Sequence, residues 1–238
     1  MYKNIVFDLY GTLIDLKTDE ARSGFWQEMA LFFSYNEARY SPDKFKSRYL
    51  AIVEQKLSEN TQTDFPDTKI IFVLKELYEA EGINASDELL SVTTRLFRAA
   101  STEYIQLYPG VIQLLDALVA EGKNLYILSN GQREFSLPEL KYLGIYDYFK
   151  ALYSSAEIGI CKPDKVFYEH LANGEGIQAA DSLFVGNDHR TDIAGAAAFG
   201  MDSVYIHSNQ SGNVSRTEAT YEIWDGDVAK ILQYALKS

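Results

Sequence analysis

Asp8 directly follows the apolar run Ile5-Val6-Phe7 and precedes Leu9-Tyr10-Gly11-Thr12. Such a run, closed by Asp and then Gly, reads as a central strand emptying into a tight loop, which is where open α/β sheets place their ligand sites. Asp8 is therefore a candidate carboxylate nucleophile. Three later loops carry complementary groups: Ser129-Asn130-Gly131 after Tyr126-Ile127-Leu128, Lys162-Pro163-Asp164 after a strand expected near Tyr153, and Gly186-Asn187-Asp188 through Asp192 after Leu183-Phe184-Val185. Together they offer a nucleophile, hydroxyl and amide donors for an anion, a lysine to offset clustered carboxylates, and oxygen ligands suited to Mg²⁺.

The elements that must position these loops follow from periodicity. Lys3–Phe7, Leu125–Leu128, Ala151–Tyr153, Leu183–Val185 and Val204–Ile206 are short β-prone runs, and from Pro109 onward they alternate with helical stretches, the grammar of a parallel sheet. Residues 20 to 100 carry only helical periodicity, with stripes at Phe25/Met29/Phe32/Phe33, Phe45/Tyr49/Ile52/Val53, Ile70/Leu74/Leu77/Tyr78 and Leu89/Val92/Leu96. The expected fold is α/β: a Rossmann-like three-layer core of residues 1–14 and 105–238, interrupted by an α-helical cap over 15–104. The cap is expected to lie over the strand ends and close on the site, excluding water.

Composition narrows the partners. The 238 residues hold 34 acidic against 22 basic side chains, a formal charge of -12. That balance repels nucleic acid and anionic membrane but leaves room for a small anionic substrate where local charge differs. A single Cys161 makes no intrachain disulfide, and neither a signal-peptide pattern nor a membrane-length apolar run is present. The expectation is a cytoplasmic monomer or homodimer.

The four loops, in this order and with a helical insertion after the first, resemble the haloacid dehalogenase-like hydrolase superfamily across nearly the whole chain. The resemblance implies that Asp8 attacks substrate to give a covalent aspartyl intermediate that water then hydrolyses. It implies that Gly11, Thr12, Ser129, Asn130 and Gly131 bind the transferred group and that Lys162 holds the charges in register. A Mg²⁺ site would draw on Asp8, the backbone carbonyl of Tyr10, Asn187, Asp188 and Asp192.

Two departures bear on the reaction. Phosphatases of this family carry an Asp two residues after the nucleophile as general acid and base; here Tyr10 stands there, and an unperturbed phenol, pKa ~10, is a poor substitute. The family's 2-haloacid dehalogenases carry Asp-x-Tyr-Gly-Thr and Ser-Asn-Gly, both present here, and their chemistry needs no metal. Residues 185–196 have the length and form of the phosphatase loop, with Asn187 replacing an Asp. The leading expectation is a Mg²⁺-dependent phosphatase of a small metabolite in which Tyr10 marks an impaired acid/base. A metal-independent 2-haloacid dehalogenase and a phospholigand-binding protein without turnover are the alternatives. Bland readings stand beside each residue: Asp8 as a turn former, Pro163 as the first residue of a helix, Asp192 in the first turn of a helix running to Phe199, Arg48 as a solvated cap residue, and His189 and Cys161 outside the site.

Overall fold

In the computed structural model, which describes residues 2–237, the chain divides into two compact units. One comprises the N-terminal segment through Leu16 and the chain from Ile105 onward; the other is Lys17–Tyr104. The outermost positions of the expected core, 1 and 238, lie outside the described residues.

The first unit is built on strands β1 (Asn4–Phe7), β4 (Asn124–Ser129), β5 (Ala151–Ser154), β6 (Ser182–Gly186), β7 (Asp202–Ile206) and β8 (Tyr221–Ile223). They form one parallel sheet in the order β5-β4-β1-β6-β7-β8. Strands β2 (Ile14–Thr18) and β3 (Thr102–Leu107) pair separately, and the division between the units falls inside both. Neither β2, β3 nor β8 was expected from the sequence. The short β8 and the half-exposed β3 carry too little apolar signal to stand out.

The sheet is α/β with helices on both faces, as the fold expectation required. Side chains alternate between the faces. Ile5, Phe7, Leu125, Ile127, Leu183 and Val185 enter one core with Leu114, Leu118 and Ile231, whereas Val6, Tyr126, Leu128 and Phe184 enter the other with Phe167, Tyr168 and Leu171. The packing helices include α5 (Val111–Ala120), α6 (Arg133–Tyr142), the short α7 (Ser155–Ile158), α8 (Lys165–Glu175), α9 (Ala194–Phe199) and α10 (Lys230–Ala235). Burial on both faces explains why the central strands read as unbroken apolar runs. Strand order reverses between β1 and β6, so the loops after these two strands diverge and leave a crevice.

The second unit holds α1 (Phe25–Tyr35), α2 (Pro42–Glu59), α3 (Ile70–Glu79) and α4 (Asp87–Ser101) around an aromatic core. Phe33 stacks on Tyr78 at 4.0 Å, and Phe25, Phe45 and Phe97 are buried beside them. Ser41 and Ser86 cap α2 and α4 by accepting from Lys44 and Leu89 amides. The stripe expected on α4 is out of phase. Leu90, Thr93, Thr94 and Phe97 are buried, while Val92 is exposed. Thr93 and Thr94 can enter the core because their hydroxyls donate to the Leu89 and Leu90 carbonyls one turn back, which a count of apolar letters overlooks. Arg48 is exposed.

Candidate active site

Asp8 sits at the end of β1 and is 7 % exposed, its amide bonded to the Val185 carbonyl of β6. The loop beyond it turns at Gly11, whose φ of +86° is a left-handed conformation that side chains strain to adopt. A Cβ there would also lie 2.5 Å from Asn187 Nδ2, so glycine is required twice, by the backbone and by the close approach of the β6 loop. This turn brings the Thr12 hydroxyl back to donate to Asp8 Oδ2 at 3.0 Å, with Asn187 Oδ1 3.4 Å from the same hydroxyl.

Lys162 is the electrostatic centre. Its ammonium, 1 % exposed, donates to Asp8 Oδ1 at 2.6 Å and to Asp192 Oδ1 at 2.7 Å, and lies 5.3 Å from the Phe184 ring centroid. Burial works to lower its pKa, but the two carboxylates outweigh that and hold it above its ordinary value, so the lysine stays charged. Asp192 is shifted up by burial and by the neighbouring charge of Asp8, against the opposing pull of Lys162. Its second oxygen accepts from the Asp188 amide at 2.9 Å.

The Lys162 backbone is fixed by Asn130, whose Oδ1 accepts from the Lys162 amide at 2.7 Å while its Nδ2 donates to the Lys162 carbonyl at 3.0 Å. Asn130, expected to bind substrate, thus positions the lysine with both of its functional groups. Gly131 donates its amide to Ser155 Oγ at 2.9 Å. Ser129 Oγ is buried and has no hydrogen-bond partner among the described residues. A buried hydroxyl in that state is costly unless a ligand or water completes it, which suits the anion-binding role expected for Ser129.

The β6 loop differs in detail from the helix start expected for Asp192. His189–Ile193 forms a π-helical turn before α9, and Asp192 is buried within it. Tyr168 explains the wider turn, since its hydroxyl donates to the Thr191 and Asp192 carbonyls at 3.2 and 2.9 Å. Gly195 makes room for that ring, as a Cβ there would lie 2.5 Å from it. Asp188 accepts from the Arg190 amide at 2.8 Å; burial pushes its carboxyl up, but Arg190 more than reverses this and holds it below its ordinary 3.8. Helix α8 begins differently too. Asp164 is its cap, accepting from the Val166 amide, so Pro163 lies before the cap and not at the first helical position.

The Tyr10 phenol donates to Glu139 Oε2 on α6 at 2.5 Å, and its ring lies against Gly131. Glu139, Ser155 and Tyr168 escaped the sequence reading because none belongs to a motif and each acts from a helix or from the start of one, whereas Gly195 lies within the 185–196 loop but carried no role there. Only Glu139, spaced three and four residues from buried Ser136 and Phe135, hints at a face turned toward the core.

A cleft of about 260 Å³ is lined by Asp8, Tyr10, Asn130, Lys162, Asn187 and Asp188, together with Thr191, Asp192 and Gln210. Its donor chemistry fits Mg²⁺: the carboxylates of Asp8 and Asp188, the amide oxygen of Asn187 and the Tyr10 carbonyl are hard oxygen ligands. Among the described residues no three His, Cys, Asp or Glu side chains converge on one point, so these donors do not form a closed cage. Such a site suits an ion that keeps most of its water.

A six-stranded parallel sheet with a buried aspartate, lysine and second aspartate gathered at its carboxyl edge defines a hydrolase-type α/β protein. The chain belongs to the haloacid dehalogenase-like hydrolase family, whose sequence profile matches residues 2–200. It is 24 % identical over 228 residues to the pyrimidine 5'-nucleotidase PynA of Streptococcus pneumoniae, covering 94 % of this chain and 91 % of that protein. It is 27 % identical over 231 residues to an (S)-2-haloacid dehalogenase of Pseudomonas sp. strain YL, covering 94 % and 89 %. The crystal structure of a 2-haloacid dehalogenase from Pseudomonas syringae pv. Tomato superposes with a TM-score of 0.66 at 23 % identity, over 98 % of this chain and 97 % of that one, and supports the fold. Relatives thus include both phosphatases and dehalogenases. Among the described residues no helix is long and apolar enough to cross a membrane.

Proposed function

We propose that this hydrolase cleaves a small phosphomonoester through Asp8, with Mg²⁺ held by Asp8, the Tyr10 carbonyl, Asn187 and Asp188. The observation that carries this reading is that Asn187 and an ionised Asp188 open on the same cleft as the nucleophile, supplying oxygen donors that displacement at carbon does not need. When bound, Mg²⁺ would offset charge on the phosphoryl oxygens.

The chain's own groups do the rest. Thr12 and Lys162 hold the Asp8 carboxylate toward the cleft, and the Lys162 ammonium bridges Asp8 and Asp192. An Asp8 oxygen forms the bond to phosphorus as the bond to the leaving oxygen breaks, and that oxygen departs with the electron pair. Ser129 completes the anion site. Water then attacks the aspartyl phosphate, releasing phosphate and restoring Asp8. Because the Tyr10 phenol is given to Glu139, the leaving oxygen receives no proton from position 10, and the enzyme favours esters whose leaving group is stable as an anion.

Tyr10 itself supports a second reading, 2-haloacid dehalogenation, since halide leaves without a proton. The test is hydrolysis of an activated aryl phosphate with Mg²⁺ and with chelator, beside halide release from a 2-haloacid, in wild type and Asp8→Asn. Mg²⁺-dependent phosphate release abolished in Asp8→Asn is the expected result. Metal-independent halide release without phosphatase activity would establish the second reading, and turnover of neither would refute both.

A further inference from the structure

Gln210 reaches the Asp8 cleft from the loop that follows β7, and no motif in the sequence marks it. Strand β7 lies two strands from β1 in the sheet, about 10 Å at ordinary strand spacing. A group attacked by Asp8 sits against the β1 loop, so Gln210 is set to meet the part of a substrate that lies beyond it.

The loop is laced in place. Asp15 of β2 is 9 % exposed, and its carboxylate accepts from the side-chain amides of Gln106, Asn209 and Gln210 at 3.1, 3.0 and 3.2 Å. Tyr108 donates to Asn209 Oδ1 at 2.5 Å. Ser211 Oγ accepts from the Ser208 amide and donates to the Asn187 carbonyl, each at 3.0 Å, which joins this loop to the one after β6.

These bonds also orient the Gln210 amide. A carboxylate only accepts, so Nε2 is the atom that faces Asp15, with the Tyr108 hydroxyl 3.5 Å from it. Asp15 and Tyr108 line a separate cavity of about 390 Å³ that extends to Trp224, and neither lines the Asp8 cleft. The nitrogen is thus drawn away from the cleft, while the opposite branch of the planar amide, Oε1, has no partner among the described residues. Donors elsewhere in the cleft are engaged: Lys162 by Asp8 and Asp192, Asn130 by the Lys162 carbonyl, and Tyr10 by Glu139. Beyond the phosphoryl group, therefore, the cleft offers a substrate an acceptor. We propose that Gln210 is a specificity-determining residue whose Oε1 accepts from a hydroxyl on the alcohol portion of the substrate, which makes the substrate class a polyol phosphomonoester. Asp15 is the positioning residue that holds Gln210 there, and the proposal rests on the reading of Asp8 as the nucleophile of a phosphomonoesterase.

The test compares glycerol 1-phosphate with propyl phosphate, which differ only in two hydroxyls, as competitive inhibitors of aryl phosphate hydrolysis at constant Mg²⁺. The glycerol ester should bind wild type at least about threefold more tightly than the propyl ester, the worth of one neutral hydrogen bond. That ratio should fall to about one in Gln210→Met and in Asp15→Ala, and persist in Gln106→Met, which removes an Asp15 bond on the side away from the cleft. A general loss of stability weakens both esters alike and leaves the ratio unmoved. An unchanged ratio in Gln210→Met would overturn the specificity role, and an unchanged ratio in Asp15→Ala the positioning role. Absence of aryl phosphate turnover in wild type would instead overturn the underlying phosphatase reading, and calorimetric titration of the same two esters would then decide whether Gln210 discriminates between them. Should Asp15→Ala fail to fold, the Gln210→Met ratio still decides.

Discussion

Replacing Lys162 with Met removes the ammonium while keeping a chain of similar length, and leaves Asp8 and Asp192 facing each other in a site almost closed to water. The two bonds lost, 2.6 and 2.7 Å from a side chain 1 % exposed, are charge-assisted, each contributing about 1.5–3 kcal/mol net. Removing one partner from a buried charged cluster costs about 3–5 kcal/mol, because the remaining charges stay desolvated and uncompensated. The expected loss is therefore about 4 kcal/mol. Adding Asp192→Asn should recover part of it, with a coupling of at least about 1 kcal/mol, since one of the two repelling carboxylates is then neutral. The assay is urea denaturation in a Trp26→Phe background, so that fluorescence reports Trp224 in the sheet-bearing unit and the two units are not averaged. A loss below about 1 kcal/mol, or strict additivity in the double variant, would refute the view that the Lys162 ammonium couples the Asp8 and Asp192 carboxyl groups.

Three further outcomes are expected. Tyr10→Asp places an acid where the phenol is now tied to Glu139, and should raise turnover of alkyl relative to aryl phosphates by about 10²-fold; steady-state kinetics on the two ester classes would show an unchanged ratio if position 10 is irrelevant to the leaving group. Gly11→Ala must accommodate both φ +86° and a Cβ 2.5 Å from the Asn187 side chain, so it should cost about 1–3 kcal/mol in thermal unfolding and lower turnover more than about tenfold by displacing Asn187. Asn187→Asp adds a charged oxygen ligand and should tighten Mg²⁺ about tenfold by isothermal titration, whereas unchanged affinity would place the ion elsewhere.

Much of the site was legible because its chemistry lies in loops that follow strongly apolar strands. Asp8 after Ile5-Val6-Phe7 and Asn187 after Leu183-Phe184-Val185 announce both the strand and its end, since parallel strands buried on both faces need unbroken apolar runs and their carboxyl ends hold the ligand loops. Lys162, at 2 % exposure, was recognisable only as a member of an ordered set; its own neighbourhood in sequence resembles a surface turn. The phase of α4 was misread because Thr93 and Thr94 hide their polarity in bonds to their own helix.

The sequence by itself determined the α/β class, the position of each candidate site loop and the family, because these depend on local periodicity and on residue types at strand ends. Only the tertiary structure decided how the groups are used. It gave Asn130 to the Lys162 backbone, turned the Tyr10 phenol to Glu139, wound Asp192 into a π turn under Tyr168, and opened a second cavity beside Trp224. The first three depend on contacts between residues more than twenty positions apart, whose partners are set by strand order and helix packing and leave no trace in local pattern.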